Sequence, residues 1–272
     1  MKIKDVMFFC LIVVLISFFS GCTENNSDNS SPVALINAED KGFTNQALYF
    51  DSSNSYDSKG EIVSYLWDFG DWNSKEVEEK GVFYKYQKTG NYSVNLTVTD
   101  KEGNTDFETV YINISSNDLD NNKVPDNWGN APNFVFNSLD DENYRLSDFF
   151  GKVVLLDLMG VDCQFCVYQM PVLKYVSENY SRFDLAIISI DVYLYETEEY
   201  LQSFIDAFKE ELDIGLDWIF CMDSNGDISK DYIGVNEGVP KLVLIDQNGN
   251  IYYEFMGYTQ YSEIKNKLNE IV

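Results

Sequence analysis

The sequence predicts two folded domains, an all-β sandwich followed by a layered α/β domain. Residues 32–116 alternate apolar and polar side chains with period two between turn residues, which is the pattern of half-buried strands. Residues 131–272 alternate short apolar runs with segments of helical spacing, which is typical of an α/β fold. The chain has 272 residues, 45% of them hydrophobic, and this is enough for two packed cores.

Charge and composition exclude several classes of function. The chain has 45 acidic and 19 basic residues, a net charge of −26, so it would repel a phosphate backbone and we expect no nucleic-acid partner. It has no histidine, which removes Ser–His and Cys–His catalytic pairs and His-containing zinc sites. Its chemistry must therefore use Cys, carboxylates, Tyr, Lys or a bound cofactor.

The N-terminus has the pattern of an export signal. Two lysines precede an apolar run over residues 6–19, and a Ser-Gly-Cys triplet ending at Cys22 follows it. This ending resembles the lipobox of prokaryotic lipoproteins, which implies that residues 1–21 are a signal peptide and that Cys22 carries a lipid anchor. An uncleaved N-terminal membrane anchor is the alternative. Residues 22–31 are polar and rich in Ser and Asn, so we expect a flexible tether.

The strands of residues 32–116 predict an immunoglobulin-like sandwich. Residues 90–100 show the clearest alternation, and a turn separates them from the next strand. The Trp-Asp-Phe-Gly-Asp string at residues 67–71 and the strand at 90–100 resemble a PKD domain. The resemblance implies a spacer or adhesive module on an exported protein, so we expect a stalk with Trp67 in its core. Trp72 departs from the family, which usually has Gly at that position.

Residues 117–130 form a polar linker that carries a partial set of calcium ligands. Oxygen-bearing side chains stand at loop positions 1, 3, 5 and 9, namely those of Asp118, Asp120, Asn122 and Asp126. This spacing resembles the Asp-rich calcium repeats of thrombospondin type and implies a bound calcium that stiffens the junction. Lys123 replaces the Gly of those repeats and no Glu follows at position 12, so an ordinary polar linker stays open as the alternative.

The second domain shows helix and strand patterns in alternation. The apolar runs predict strands at residues 152–158, 184–190, 216–222, 241–246 and 250–256. The segments of helical spacing predict helices at residues 166–179, 196–212 and 260–271. Such alternation predicts a sheet with helices packed on it.

The pair Cys163-x-x-Cys166 lies between the first of these strands and the first helix. Two thiols at this spacing can close a disulfide, and the positive end of the helix dipole favours the thiolate of the first. We therefore expect Cys163 to attack a substrate disulfide and Cys166 to resolve the mixed disulfide. Structural zinc is a weak alternative, because only Cys221 is left as a further ligand, and a purely structural disulfide is another. The peroxiredoxin motif is absent.

Further segments of residues 131–272 resemble the TlpA/ResA-like branch of the thioredoxin superfamily. They are the Ala-Pro-Asn-Phe string at residue 131, the Cys pair followed by Pro171, and Val239-Pro240 before a buried strand. The resemblance implies a thioredoxin-like fold in which Pro240 forms a cis peptide bond and packs beside the Cys pair.

Asp157 stands six residues before Cys163, where thioredoxins keep a buried Asp. A carboxyl under the pair would have a raised pKa and could accept the proton of the resolving thiol. Its apolar neighbours favour burial, although a strand-end Asp that reaches solvent is the alternative reading.

Three positions depart from that branch. Asp162 replaces the Trp before the first Cys, Gln164 replaces Pro or Gly, and Gln169 replaces a Glu of the cytochrome-maturation members. A charge at Asp162 would oppose the Cys163 thiolate, which favours a reductant or isomerase over a strong oxidant. The Gln169 change argues against apocytochrome c as substrate.

Together these features predict a thiol–disulfide oxidoreductase on the extracytoplasmic face of the cell membrane. Its partners would be exported proteins with thiols or disulfides, an electron donor or acceptor in or outside the membrane, and the membrane itself through the lipid anchor. Catalysis would need no cofactor beyond the redox-active disulfide, with calcium as a structural ion. A non-catalytic adhesive or scaffold lipoprotein that acts through its PKD domain is the alternative.

Overall fold

The computed structural model describes residues 31–78, 80–116 and 128–272. The predicted signal peptide, Cys22 and almost all of the tether lie outside these residues, and so does the whole predicted calcium set of Asp118, Asp120, Asn122 and Asp126. Within the described ranges, no helix has both the length and the apolar character needed to cross a membrane.

The first domain is a sandwich of two sheets. Its strands are β1 (Asn37–Ala38), β2 (Lys41–Phe43), β3 (Leu48–Asp51), β4 (Ile62–Asp68), β5 (Ser74–Val77), β6 (Gly81–Tyr84), β7 (Gly90–Asp100) and β8 (Thr105–Ser115). One sheet has the order β1-β3-β6 and the other β2-β8-β7-β4-β5. The predicted all-β sandwich is therefore confirmed.

Strand β7 shows why the alternating pattern predicted this domain correctly. Val94, Leu96 and Val98 are fully buried, whereas the residues between them are only partly buried. Trp67 is also fully buried and contacts Phe50 in the core between the sheets, as expected. Because side chains of a strand alternate between its faces, one face of β7 builds the core.

The second domain is a mixed sheet with helices. Its elements are β9 (Val135–Asn137), β10 (Asn143–Arg145), a 3₁₀ turn (Leu146–Phe149), β11 (Val153–Met159), α1 (Gln164–Asn179), β12 (Leu185–Asp191), α2 (Glu198–Leu212), β13 (Ile219–Met222), α3 (Asp227–Tyr232), β14 (Lys241–Ile245), β15 (Ile251–Met256) and α4 (Tyr261–Leu268). The main sheet has the order β13-β12-β11-β14-β15. Strands β11, β12 and β13 are parallel to one another, whereas β14 runs antiparallel to both of its neighbours, β11 and β15. The predicted α/β class is confirmed.

Among the described residues, α3 is the regular helix that the sequence pattern does not predict. The Asp/Asn/Gly-rich segment before it, residues 223–226, forms a turn, and the side chain of Asp223 caps the helix. Its two carboxylate oxygens accept hydrogen bonds from the backbone N–H groups of Ile228 (3.1 Å) and Ser229 (2.7 Å). A six-residue helix has too little periodicity to be recognised in the sequence.

The two domains pack directly against each other, which differs from a stalk joined only by a linker. Tyr49 and Phe83 of the first domain belong to the same buried cluster as Tyr144 and Phe149 of the second. The backbone N–H of Ala47 also donates to the carbonyl of Asp148 (2.8 Å). These contacts lie near the end of the sheet where β11 begins, and β11 ends just before the Cys pair. The Cys pair therefore follows the opposite end of β11 from these contacts.

Candidate active site

The Cys163–Cys166 disulfide lies at the junction of β11 and α1. A turn follows Met159, and Cys163 is the N-cap residue of the helix, where its sulfur accepts a hydrogen bond from the backbone N–H of Cys166 (3.3 Å). Cys163 is partly exposed, whereas Cys166 is fully buried. Of the two sulfurs, that of Cys163 is the one a protein substrate can approach.

The Val239–Pro240 peptide bond is cis and faces this disulfide. The carbonyl oxygen of Val239 lies 3.6 Å from Sγ of Cys163. The carbonyl of Pro240 accepts a hydrogen bond from Gly257 N–H (2.9 Å), which ties the start of β14 to the end of β15. The structure thus brings Pro240 and the Cys pair together, as the sequence comparison with the thioredoxin superfamily implied.

Asp157 is fully buried in β11, so its side chain does not reach solvent. Its Oδ2 accepts a hydrogen bond from Oγ of Ser189 (2.8 Å), and that hydroxyl in turn accepts one from Nε1 of Trp218 (2.9 Å). Within the described part of the chain, Oδ1 of Asp157 has no hydrogen-bond partner. Burial raises the pKa of Asp157 to about 7, against the lowering effect of the Ser189 hydrogen bond. This carboxyl is therefore suited to take up and release a proton near neutral pH.

Gln169 is fully buried on α1 and uses both ends of its amide. Its Nε2 donates to the carbonyl of Thr259 (3.1 Å), and its Oε1 accepts from the N–H of the same residue (2.8 Å). The side chain thus fastens α1 to the segment before α4. This paired bonding gives a structural reason for an amide, since a carboxylate has no donor for the Thr259 carbonyl.

We expect Gln169→Glu to lower the free energy of unfolding by about 1–3 kcal/mol, because it leaves a buried carbonyl without its donor. The exposed Gln164 on the first turn of the same helix supplies the control, and Gln164→Glu should change stability by less than about 0.5 kcal/mol. Urea unfolding of the oxidised proteins measures both values. Equal stability of the two variants would contradict a bonding role for the Gln169 amide.

A group of acidic side chains surrounds the turn before Cys163. The carboxylate of Glu196 accepts hydrogen bonds from the backbone N–H groups of Val161 (2.9 Å) and Asp162 (3.0 Å). Tyr200 donates from its hydroxyl to Asp162 (2.7 Å), and Asp191 lies buried at the end of β12. Of this group the sequence reading identified only Asp162, and it also missed Ser189 and Trp218. Their partners are distant in sequence, so local spacing carries no signal for them.

Two further groups of the described residues, a free thiol and a cluster of carboxylates, lie outside this site. Cys221 is a fully buried thiol on β13, and burial raises its pKa far above the ordinary value, so it is unsuited to exchange with the pair. In the first domain, carboxylate oxygens of Asp57, Asp100 and Glu102 lie within 4.8 Å of one another. Three acidic groups at a strand turn do not by themselves define a metal site.

Comparisons with known proteins identify both domains. Residues 29–114 match the family model of the PKD domain, and residues 121–268, more than half of the chain, match that of redoxin. Thiol-disulfide oxidoreductase ResA of Bacillus thuringiensis subsp. konkukian is 29% identical over 141 residues, which are 52% of this chain and 76% of that protein.

Collagenase ColA of Clostridium perfringens is 31% identical over 167 residues, which are 54% of this chain. The chain spans only 15% of the length of that collagenase. Among solved structures, StoA of Bacillus subtilis has 17% sequence identity and a TM-score of 0.43, over 52% of this chain and 98% of that one. The matches that cover its two parts show that this chain belongs to the redoxin family, with a PKD domain in front of the redoxin domain.

Proposed function

We propose that this protein is an extracytoplasmic, membrane-anchored thiol–disulfide oxidoreductase that works through Cys163 and Cys166. The observation that carries the proposal is the pair itself: a partly exposed sulfur at the N-terminus of α1 is bonded to a fully buried one, beside a cis-proline. The redoxin match and the similarity to a thiol-disulfide oxidoreductase support it. The alternative, an adhesive or scaffold protein without catalysis, does not account for this arrangement of the Cys pair in the second domain.

The reaction begins when the Cys163 thiolate attacks one sulfur of a substrate disulfide. That disulfide bond breaks, the leaving substrate sulfur takes up a proton, and a mixed disulfide joins Cys163 to the substrate. The Cys166 thiol then gives its proton to the Asp157 carboxylate and attacks Sγ of Cys163. The substrate leaves with two thiols, and the protein is left with the Cys163–Cys166 disulfide. A dithiol donor in or outside the membrane restores the reduced pair.

Val239 and Pro240 bind the substrate chain and take no part in the exchange between sulfurs. The Val239 carbonyl beside Cys163 is placed to accept a backbone hydrogen bond from a substrate chain that lies across the pair. Exported proteins with thiols or disulfides are the proposed substrates, and Cys22 is the proposed attachment to the membrane. Neither calcium nor any other cofactor takes part in these steps.

We expect the pair to be a reductant or isomerase, because acidic side chains surround the turn before Cys163 and disfavour its thiolate. The reduction potential, measured by equilibration of the full-length protein with glutathione, should lie nearer the value of thioredoxin (about −270 mV) than that of DsbA (about −120 mV).

Trapping of the mixed disulfide tests whether Cys163 attacks first and Cys166 resolves second. In Cys166→Ser the resolving thiol is gone, so the mixed disulfide between Cys163 and a disulfide-containing protein should accumulate and survive non-reducing electrophoresis. Cys163→Ser is the matched control and should trap nothing, because Cys166 is buried. A pair that does not equilibrate with glutathione, or equal trapping by both variants, would contradict the proposed function.

A further inference from the structure

The loop between β12 and α2 is fastened to the turn before Cys163. Val192 N–H donates to the carbonyl of Met159 (3.0 Å). The ring of Tyr193 fills the space beside Gly160 so closely that a Cβ at that glycine would lie 2.4 Å from ring atoms. The loop and the turn are therefore in direct contact, and residue 160 must be a glycine to allow it.

Glu196 makes the strongest link between the loop and the turn. Its side chain is buried, and its two oxygens accept the N–H groups of Val161 and Asp162 at 2.9 and 3.0 Å. These are the residues two places and one place before Cys163. Backbone N–H groups at such a position can stabilise a thiolate or another anion. Here both donate to a carboxylate of the protein itself.

Asp191 is nearly fully buried next to Glu196. Its Oδ1 accepts a hydrogen bond from Tyr193 N–H (3.0 Å), whereas no donor in the described residues faces its Oδ2. Burial raises the pKa of Asp191, and the neighbouring carboxyls of Glu196 and Asp162 raise it further. Asp191 therefore retains a proton at a pH above the ordinary aspartate range, whereas both oxygens of Glu196 accept hydrogen bonds from backbone N–H groups.

We propose that Glu196 is a positioning residue for the disulfide pair: its side chain occupies the two N–H groups before Cys163 and so withholds them from a Cys163 thiolate, which favours the disulfide over the reduced pair. The inference rests on the proposed function and deepens it by giving the origin of the reducing character. Glu196 itself neither touches the substrate nor exchanges protons with it.

The effect follows from the balance of the half-reaction. Reduction of the Cys163–Cys166 disulfide takes two electrons and two protons, supplied in the test by two molecules of glutathione that become glutathione disulfide. A Cys163 thiolate in the reduced protein lacks these two N–H donors, because both already donate to Glu196. The reduced state is thereby less stable, and the pair passes its electrons on more readily.

The test is Glu196→Gln in the full-length protein. We expect the equilibrium constant with glutathione to shift about tenfold toward the reduced pair, because Gln keeps only one acceptor oxygen and leaves one of the two N–H groups for the thiolate, and a hydrogen bond to a charged group has about this effect. The pH at which Cys163 reacts half-maximally with iodoacetamide should fall. Glu199→Gln, which removes an exposed carboxylate three residues further on, is the matched control and should shift the equilibrium less than about twofold.

The outcomes separate the inference from the proposed function. If the wild-type pair does not equilibrate with glutathione, the proposed function fails. If it equilibrates and the two variants have the same potential and the same alkylation profile, only the role of Glu196 fails. Carboxyl ¹³C NMR of the wild-type protein needs no variant. There the Asp191 signal should titrate well above the ordinary aspartate range. Titration within that range would overturn the inference that Asp191 keeps a proton next to Glu196.

Discussion

Asp157→Asn should slow the resolution of the mixed disulfide by about 100-fold at pH 8, because general acid–base groups typically contribute about 10²- to 10⁴-fold. Asn keeps the size of the side chain and an oxygen that can accept the Ser189 hydrogen bond, but it cannot take the proton of the Cys166 thiol. The measurement is single-turnover release of the second thiol of a symmetric fluorescent disulfide, because the first thiol leaves when Cys163 attacks and only the second leaves on resolution. An unchanged rate would contradict a role of Asp157 as base.

The dependence on pH distinguishes loss of a base from general damage to the site. With a pKa of about 7, Asp157 gains its base form as the pH rises through neutrality, so the wild-type resolution rate should rise there and level off above pH 8. In the Asn variant the rise should move to the higher pH at which the thiol itself ionises. A proportional fall at every pH would indicate distortion of the site instead.

The same substitution should stabilise the oxidised protein above neutral pH. The pKa of Asp157 is raised to about 7 in the folded state and is about 3.9 in an unfolded chain, so the folded state binds more protons between these values. Stability from this group is therefore complete below pH 4 and is lost as the pH rises to 7. Since one pKa unit corresponds to about 1.4 kcal/mol, the loss is on the order of 4 kcal/mol.

Urea unfolding at pH 4 and pH 8 checks this expectation. Asp157→Asn should approach the wild type at pH 4 and be more stable at pH 8, whereas Asp206→Asn, an exposed change on α2, should leave both values nearly unaltered. A less stable Asn variant at pH 8 would mean that interactions in the folded protein already offset the cost of burying the Asp157 carboxylate.

The sequence was informative wherever local patterns decide the structure. Strands β11 and β12 were expected from continuous apolar runs, and every residue in both is buried. The Cys pair was expected from its spacing, and the burial of Asp157 from its apolar neighbours. Glu196 could not be found in this way, because it bonds to backbone atoms 34 and 35 residues away and such contacts leave no periodic signal.

The contact between the two domains could be predicted in part, because the apolar runs of two strands in the first domain indicate it. In β3, Leu48 and Phe50 face the sandwich core, whereas Tyr49 between them belongs to the cluster shared with the second domain. In β6, Val82 faces the sandwich core, whereas Phe83 belongs to the cluster shared with the second domain. Adjacent strand residues point to opposite faces, so a continuous apolar run predicts a sheet that is covered on both sides. The predicted stalk treats these strands only as one half of a sandwich, and the cluster that they share with the second domain accounts for the difference.

Phe83→Ala should lower the free energy of unfolding by about 3–5 kcal/mol, since it opens a cavity in a buried aromatic cluster. The ring of Phe83 packs edge-on against Phe149 of the second domain, with ring centroids 5.7 Å apart, and against Tyr49 at 5.0 Å. Phe107→Ala is the matched control, because Phe107 lies in the same domain but is 69% exposed, and it should cost less than about 0.5 kcal/mol.

A cysteine inside the second domain can report whether the effect crosses the interface. Cys221 belongs to the same buried cluster as Phe83, and with the Cys pair oxidised its alkylation requires the second domain to open. If the domains unfold as one unit, Phe83→Ala should raise the rate of Cys221 labelling, read by peptide mass spectrometry, at least about tenfold in the regime where labelling follows the population of the open form. Phe107→Ala should leave that rate unchanged. Loss of stability in the first domain with an unchanged Cys221 rate would mean that the domains touch but unfold separately, and the PKD domain would then act only as the spacer that its sequence suggested.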